Sequence, residues 1–238
     1  MKNLFVCICC ALAFGAQAQS TITRSYPVKA GEPINFKFDY PTVKISTWDK
    51  NEISVVAKID LNDAEKNDYF SLEEQELNGV VTISNHTNFD KIPRQYSITR
   101  NGVKTFYKTK QEYKDAQKLP GVTQSNEGAN IDAVVEIKVP AGCATNIKAT
   151  YGMVEIANFN APITVDDTYG GVDATINTAH TGTLKATTRF GEILSNLDMK
   201  ITAHEKRDFF NSITADAGNN KSACVLSSDY GKIYLRKP

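Results

Sequence analysis

The residue types that most often carry chemistry are sparse in this sequence and form no known catalytic pattern. The three histidines are His86, His180 and His204, and His204-Glu205 lacks the second histidine of a zinc-protease helix. No histidine and cysteine pair has the spacing of a metal site. No serine lies in a G-x-S-x-G motif, and no glycine-rich phosphate-binding loop is present. The sequence therefore predicts a protein that is not an enzyme and that holds no metal and no cofactor.

Three acids near one predicted corner, Asp166, Asp167 and Asp173, are the remaining candidates for chemistry. They could bind calcium between layers, or act as the paired carboxylates of a β-helical glycosidase. The glycine-rich nonapeptide repeat that binds calcium is absent, and adjacent residues such as Asp166 and Asp167 point to opposite faces of a strand. We therefore expect solvated carboxylates, and a carbohydrate-active β-helix enzyme is the least favoured alternative.

A basic segment with interleaved aromatic residues is the best candidate for binding a partner. Residues 91–118 hold eight bases against two acids, whereas residues 61–76 hold six acids against one base. Bases beside aromatic rings suit acidic glycans, surface polymers or a partner protein. The alternative is a solvated hairpin whose charge balances the acidic segment. The best contact candidates are Lys104, Tyr107, Lys108, Lys110 and Tyr113.

The charge total and the N-terminus restrict the class of protein. Lys and Arg number 27, as do Asp and Glu, so the formal net charge is zero and no nucleic-acid partner is expected.

Residues 1–18 are typical of a signal peptide: Lys2 precedes an apolar run, and Ala16-Gln17-Ala18 predicts cleavage before Gln19. The run is shorter than the roughly 20 residues that span a bilayer. The chain is predicted to be exported, to the periplasm, the cell surface or the medium, and not to be transmembrane.

The C-terminal half repeats a short pattern about every 20 residues. An aromatic residue is followed by Gly or Asn, the residue types that adopt a left-handed φ at the lowest cost. A β-branched residue stands three positions after the aromatic residue, and alternating apolar residues precede it. Each unit therefore predicts a strand, a corner and a second strand, the layout of a β-solenoid rung. The corner pairs are Tyr151-Gly152, Tyr169-Gly170, Phe190-Gly191, Phe210-Asn211 and Tyr230-Gly231.

Rungs stacked in chain order would align these aromatic residues in a column. Phe and Tyr interchange there, which favours a packing ladder, and an exposed binding stripe is the alternative. Cys143 and Cys224 are the two cysteines beyond the signal segment. They would lie about four rungs, or roughly 19 Å, apart, which is beyond the reach of a disulfide. We therefore predict two free thiols.

The rest of the chain completes the domain organisation. Residues 19–60 contain one further copy of the template, at Tyr40-Pro41, and are predicted to form an N-terminal β layer. Residues 131–238 are the β-solenoid, in which residues 204–208 are expected to protrude as a loop. Residues 61–130 form a charged α/β insertion, with a strand at 79–83, a hairpin at Asn101-Gly102, a short helix over 108–118 and a loop over 121–130.

The repeats also carry a family resemblance. The alternating run from Ile131, which ends in Val139-Pro140-Ala141-Gly142, leads into the Gly152, Gly170 and Gly191 corners. This pattern resembles the bacterial putative-adhesin family of β-strand-repeat proteins and the related putative auto-transporter adhesin head-domain family. Here Tyr or Phe stands where the family more often has Ser before the glycine. The resemblance implies an all-β, right-handed single-stranded β-solenoid at or beyond the cell envelope, and it supplies no catalytic residues.

Two functional hypotheses follow. The first is an exported, non-enzymatic envelope or surface protein that binds a glycan or protein partner in the manner of adhesins, through the 61–130 insertion. The second is a structural, scaffolding or sensing component of the envelope without a discrete ligand. Exposure on intact cells would separate the two, since a strictly periplasmic protein cannot act in adhesion.

Overall fold

The computed structural model describes residues 20–29, 31–60, 69–92, 94–129, 132–218 and 222–238. The predicted signal segment lies outside these residues, as does part of the acidic stretch. The described residues form twenty strands, one α-helix and one 3-10 turn. In chain order they are β1 (Ser20–Pro27), β2 (Ile34–Phe38), β3 (Thr42–Trp48), β4 (Glu52–Asp60), β5 (Phe70–Leu77), β6 (Val80–Thr87), the 3-10 turn Phe89–Lys91, β7 (Arg94–Arg100), β8 (Val103–Tyr107), α1 (Lys110–Gln117), β9 (Val122–Ala129), β10 (Asp132–Pro140), β11 (Thr145–Ala149), β12 (Val154–Ile156), β13 (Ile163–Asp167), β14 (Val172–Thr175), β15 (Thr183–Thr188), β16 (Ile193–Ser195), β17 (Lys200–Arg207), β18 (Phe210–Asp216), β19 (Ala223–Ser228) and β20 (Ile233–Arg236).

The strands form three sheets. Sheet A has the spatial order β1-β4-β10-β3-β12-β14-β20-β16, and sheet B has the order β17-β18-β15-β19-β13-β11-β2-β6-β5. Sheet C, of order β8-β7-β9, is small and packs against α1. Each repeat except the one at Phe210 contributes one strand to sheet B and the next strand to sheet A, and the aromatic residue with the residue after it forms the corner between them. The two strands around Phe210, β17 and β18, both belong to sheet B. The fold is therefore all-β.

The N-terminal copy of the template joins the same layers. β2 pairs in parallel with β11, and β3 pairs in parallel with β12, so the Tyr40 repeat lies directly beside the Tyr151 repeat. The prediction that this segment belongs to the repeat system is confirmed. β1 and β4 then extend sheet A by antiparallel pairing.

The repeats do not stack in chain order. β19 pairs with both β13 and β15, and β20 pairs with both β14 and β16, so the last repeat lies between two earlier ones. Both large sheets also contain antiparallel strands. A single-stranded solenoid is therefore not shown, because successive repeats in the chain are not always neighbours in space.

Two local predictions differ from the structure. Residues 204–208 do not protrude from a rung: β17 continues through Arg207 and pairs antiparallel with β18 as a hairpin. The polar segment 121–130 contains β9, which pairs with β7. The strand predicted at 79–83 is confirmed as β6, and it pairs in parallel with β2 as part of sheet B. The hairpin at Asn101-Gly102 and the short helix are confirmed, with φ of 51° and 79° at the two turn residues.

The core fills the space between sheets A and B. Inward residues alternate with outward ones, as the 2-residue period of a strand requires. Cys143 and Cys224 are buried and free, which confirms that prediction. The two cysteines belong to layers that are closer together than expected. One strand separates β19, which contains Cys224, from β11, which follows Cys143, so the two strands are two strand spacings, about 10 Å, apart. Representative inward residues are Ile34, Phe36, Phe38, Ile147, Val165, Leu184 and Leu226.

Candidate functional site

A continuous row of stacked aromatic rings runs along the corners of the repeats. We call it the aromatic ladder. Successive ring centroids are 4.7–5.3 Å apart, close to the spacing of hydrogen-bonded strands. The four inner steps are nearly parallel, with interplanar angles of 7–17°, while the rings at the two ends are tilted. The members, in spatial order, are Phe89, Tyr40, Tyr151, Tyr169, Tyr230, Phe190 and Phe209.

Four of the five predicted corner aromatics lie in the ladder, but the order differs from the chain. Tyr230 lies between Tyr169 and Phe190, because its repeat is inserted there. Phe210 is not a member: it begins β18, and the guanidinium of Arg207 lies 4.8 Å from its ring centroid. Phe209, in the turn before it, stacks on Phe190 instead. Asn211 is accordingly a strand residue and not a corner.

Three ladder members were not predicted. Tyr40 had a signal, since Tyr40-Pro41 matches the repeat template. Phe89 lies in a 3-10 turn after β6, outside any repeat, and nothing in its sequence context marks it. Phe209 adopts a φ of 57°, which is uncommon for a bulky residue, and this turn directs its ring to the end of the ladder.

The corner glycines are needed for close packing of the backbone. The expectation of left-handed φ is wrong for Gly152, Gly170, Gly191 and Gly231, and only the neighbouring Gly171 has it, at 93°. A Cβ at Gly152 would collide with the carbonyl oxygen of Pro41, and one at Gly191 would collide with that of Gly231. Successive corners therefore touch backbone to backbone. That contact brings the rings beside them to stacking distance.

The ladder is stacked and exposed at the same time. Its rings are between 36% and 71% exposed, and the inner ones are about half exposed. Because neighbouring rings cover each other's faces, the solvent meets ring edges and, along Tyr40, Tyr151, Tyr169 and Tyr230, a row of phenol groups. The two interpretations of the aromatic column, packing and exposed surface, therefore both describe this structure.

Buried polar side chains hold the corners from inside. Thr188 accepts a hydrogen bond from the Gly191 N–H at 3.1 Å, and Ser228 accepts one from the Gly231 N–H at 2.9 Å. Asp167 occupies the equivalent place and accepts from the Gly171 N–H at 2.5 Å. Each side chain accepts a hydrogen bond from a backbone N–H at a point where the chain leaves the sheet. A buried backbone N–H without such a partner would cost free energy.

Asp167 is the one buried carboxylate of this column. It is 1% exposed, so the expectation of a solvated carboxylate is wrong for this residue. Its Oδ1 also accepts from Ser228 Oγ at 3.3 Å, whereas its Oδ2 has no hydrogen-bond partner among the described residues. Burial in the core raises the pKa of Asp167 to about 6, against the lowering effect of the Gly171 and Ser228 hydrogen bonds.

The other two acids do not join Asp167. Asp166 is exposed and accepts from Ser227 Oγ at 3.0 Å, while Asp173 forms a bidentate ion pair with Arg236 at 2.6 and 2.8 Å. Across the part of the chain that the structure describes, no three His, Cys, Asp or Glu residues are placed to hold a metal ion.

The five basic and aromatic candidates do not form one surface on sheet C and α1. Lys104 and Lys108 are exposed, and the Nζ of Lys104 lies 5.1 Å from the centroid of the exposed Phe106 ring. The Nζ of Lys110 instead bonds Glu127 at 2.8 Å. Tyr113 is 5% exposed and belongs with Ile98 and Ala116 to a small core between α1 and the sheet, and Tyr107 packs against that core.

In the described ranges, no helix has the length and apolar character needed to cross a membrane.

No known family model matches the sequence, and no curated protein matches it. Among solved structures, a putative cell adhesion protein from Clostridium sporogenes superposes with a TM-score of 0.50 at 9% identity, covering 93% of this chain and all of that one. A putative adhesin from Bacteroides fragilis, at 8% identity over 92% of this chain and 98% of its own, superposes too poorly, at a TM-score of 0.20, to show a shared fold. The chain is thus similar in fold to the first of these proteins.

Proposed function

We propose that this chain is an exported, non-enzymatic protein of the cell envelope or surface that binds a glycan or protein partner in the manner of adhesins. The observation that carries the proposal is the exposed aromatic ladder, which covers the corners of the stacked repeats. The Clostridium sporogenes protein of similar fold is named a putative cell adhesion protein, and that name agrees with the proposed role.

The ladder suits an elongated partner that lies along the row of rings. Stacking already restricts each ring, so little side-chain entropy remains to be lost on binding. Tyrosine supplies both apolar contact and hydrogen bonding from one side chain, which explains its enrichment in recognition surfaces. The ring faces are covered by their neighbours, so contact is made with ring edges and with the phenol groups of the central tyrosines.

Sheet C offers a second, smaller surface. Lys104, Phe106 and Lys108 are exposed and stand at alternate positions of the sequence, and they suit an acidic group on the same partner. Lys110 and Tyr113, which we also considered as contacts, are engaged by Glu127 and by the small core of sheet C. The contact surface on sheet C is therefore proposed to centre on Lys104 and Lys108.

The test compares variants of the two surfaces on glycan arrays and on envelope extracts. Tyr151→Ser/Tyr169→Ser removes two inner rings, and we expect binding to weaken on the order of tenfold or more. Tyr234→Ser, the same change at a partly exposed tyrosine outside the ladder, is the matched control. Lys104→Glu/Lys108→Glu tests sheet C. Melting curves confirm that each variant is folded.

The outcomes separate the hypotheses. Loss of binding only in the sheet C variant would move the site from the ladder to sheet C. If the native protein bound nothing on arrays or in extracts, the structural or sensing role without a ligand would replace the proposal. Labelling of intact cells with an antibody tests the location independently, since a strictly periplasmic protein would exclude adhesion.

A further inference from the structure

Sheet B ends in two long edge strands. β5 pairs only with β6, and β17 pairs only with β18, so in the described structure each has one side without a strand partner. Each strand is eight residues long. All residues of β17 are exposed, as are most of β5 beyond its first three. An unpaired edge of this length presents a row of free backbone donors and acceptors that another chain can use.

The two edges carry opposite charge. β5 contains Glu73, Glu74 and Glu76 and no basic residue, whereas β17 contains Lys200, Lys206 and Arg207 with His204 and one acid, Glu205. Charged residues commonly protect edges against association. Here each edge repels a copy of itself, but each is attracted to the other edge of a second molecule.

A groove lined by both apolar and polar side chains lies beside each edge. The groove beside β17 has a volume of about 440 Å³, and apolar Ile193, Leu197, Met199 and Ile201 line it together with His204 and Lys206. The groove beside β5, of about 360 Å³, includes Ile22, Phe70 and Leu72. A strand added at either edge would also cover apolar surface, which favours association.

We propose that these edges are complementary halves of one interface, and that β17 of one molecule pairs with β5 of the next. The occupant of each edge is thus a second copy of this chain. Within one molecule the two strands run in opposite directions, since β5 opposes β6 and β17 runs parallel to β15. Molecules that associate in the same orientation therefore bring β17 and β5 together as an antiparallel pair, and the assembly extends head to tail.

The aromatic ladder follows the same direction. Phe89 follows β6 at the β5 end of sheet B, and Phe209 lies in the turn between β17 and β18 at the other end. Head-to-tail association would therefore place the last ring of one molecule near the first ring of the next. Pairing of the two edges requires no ligand on the ladder.

Sedimentation velocity over a wide range of protein concentration tests the proposal, using the chain that begins at Gln19. We expect the native protein to form a series of growing species whose population falls as salt rises. Lys200→Glu/Lys206→Glu makes both edges acidic, and Glu73→Lys/Glu76→Lys makes both basic. Each variant alone should associate on the order of tenfold more weakly. Lys37→Glu/Lys185→Glu, which reverses two exposed charges inside sheet B, is the matched control.

A mixture of the two edge variants decides the case. Acidic β17 of one variant can then meet basic β5 of the other, so an equimolar mixture should recover the association that each variant lacks. Circular dichroism establishes that both are folded. A native protein that stays monomeric, a closed dimer that does not grow, or a mixture that fails to associate would each overturn the proposal.

Discussion

The ring of Tyr169 stacks on the ring of Tyr230, with centroids 5.0 Å apart and planes 14° from parallel, although a whole repeat and a hairpin separate them in the chain. The contact exists because β19 lies beside β13. Tyr230 in turn stacks on Phe190, so the C-terminal repeat supplies the ring that joins the two halves of the ladder. Continuity of the exposed surface therefore depends on the last residues of the chain.

Removing one central ring should destabilise the fold measurably. Tyr169 contacts a ring on each side, and an aromatic pair contributes about 0.5–1.5 kcal/mol beyond its buried area. We expect Tyr169→Ala to lower the free energy of unfolding by about 1–3 kcal/mol in urea titrations. Tyr169→Phe keeps the stacking and should stay within about 0.5 kcal/mol of the native protein. Equal losses in the two variants would show that the hydroxyl, and not the stacking, stabilises this corner.

A side chain at a corner glycine should be poorly tolerated. A Cβ at Gly191 would meet the carbonyl oxygen of Gly231, a backbone atom that cannot turn away. We expect Gly191→Ala to cost about 2–4 kcal/mol of stability, by thermal or urea unfolding. Gly128→Ala is the control, because a Cβ at Gly128 meets no atom within 4 Å and its φ is not left-handed. A harmless Gly191→Ala would contradict backbone contact between the corners.

The buried carboxylate should make stability depend on pH between about 4 and 6. The pKa of Asp167 is about 6 in the folded protein and near 3.8 when solvated, so the folded state binds the proton more tightly. Stability from this group is therefore present at low pH and lost as pH rises through 6. By linkage, the native protein should gain about 1 kcal/mol between pH 7 and pH 5.

Asp167→Asn removes this titration and supplies the comparison. Relative to the variant, the native protein should gain about 1 kcal/mol of unfolding free energy between pH 7 and pH 5. The comparison cancels contributions from other acids, such as Glu192 and Asp198, whose pKa values are lowered by hydrogen bonds from Lys232 and Lys237. Parallel pH profiles would mean that Asp167 is solvated in the folded protein.

The two thiols should be free but unreactive. Cys143 and Cys224 are buried, and burial raises the pKa of Cys224 to about 12, so almost no thiolate forms at neutral pH. For the chain that begins at Gln19, we expect a thiol reagent to modify two cysteines after denaturation without reductant, and to react very slowly before it. Finding no thiol after denaturation would require a disulfide, and hence a different order of strands.

The repeat pattern predicted the unit of this fold well. Alternation around Tyr151, Tyr169 and Tyr230 places the inward residues, and the position of the glycine places each corner. The stacking order could not be predicted in the same way. Parallel backbone pairing is alike for every rung, so the β13 edge accepts β15 or β19 equally on pattern alone. In the structure β19 takes this place, and the β17–β18 hairpin pairs with the other side of β15.

The site was predicted in part. The aromatic column was found from spacing, which left open whether its rings form a packing ladder or an exposed stripe, because periodicity cannot distinguish a ring that is stacked in the core from one that is stacked at a corner. The segment around β9 has polar side chains, mostly exposed, and owes its strand to backbone pairing with β7, which leaves no apolar signal. The burial of Asp167 was not predicted, because burial of one acid depends on which rung covers it.

The central position of the final repeat also determines how the molecule must fold. While the chain is being synthesised, β13 and β15 cannot acquire their shared neighbour until β19 and β20 have been made. Both large sheets therefore remain divided up to that point, with interior edges exposed. Such pairings are distant in sequence and slow to form. The arrival of β19 and β20 is thus the event that permits closure, and the molecule is most prone to aggregate just before it.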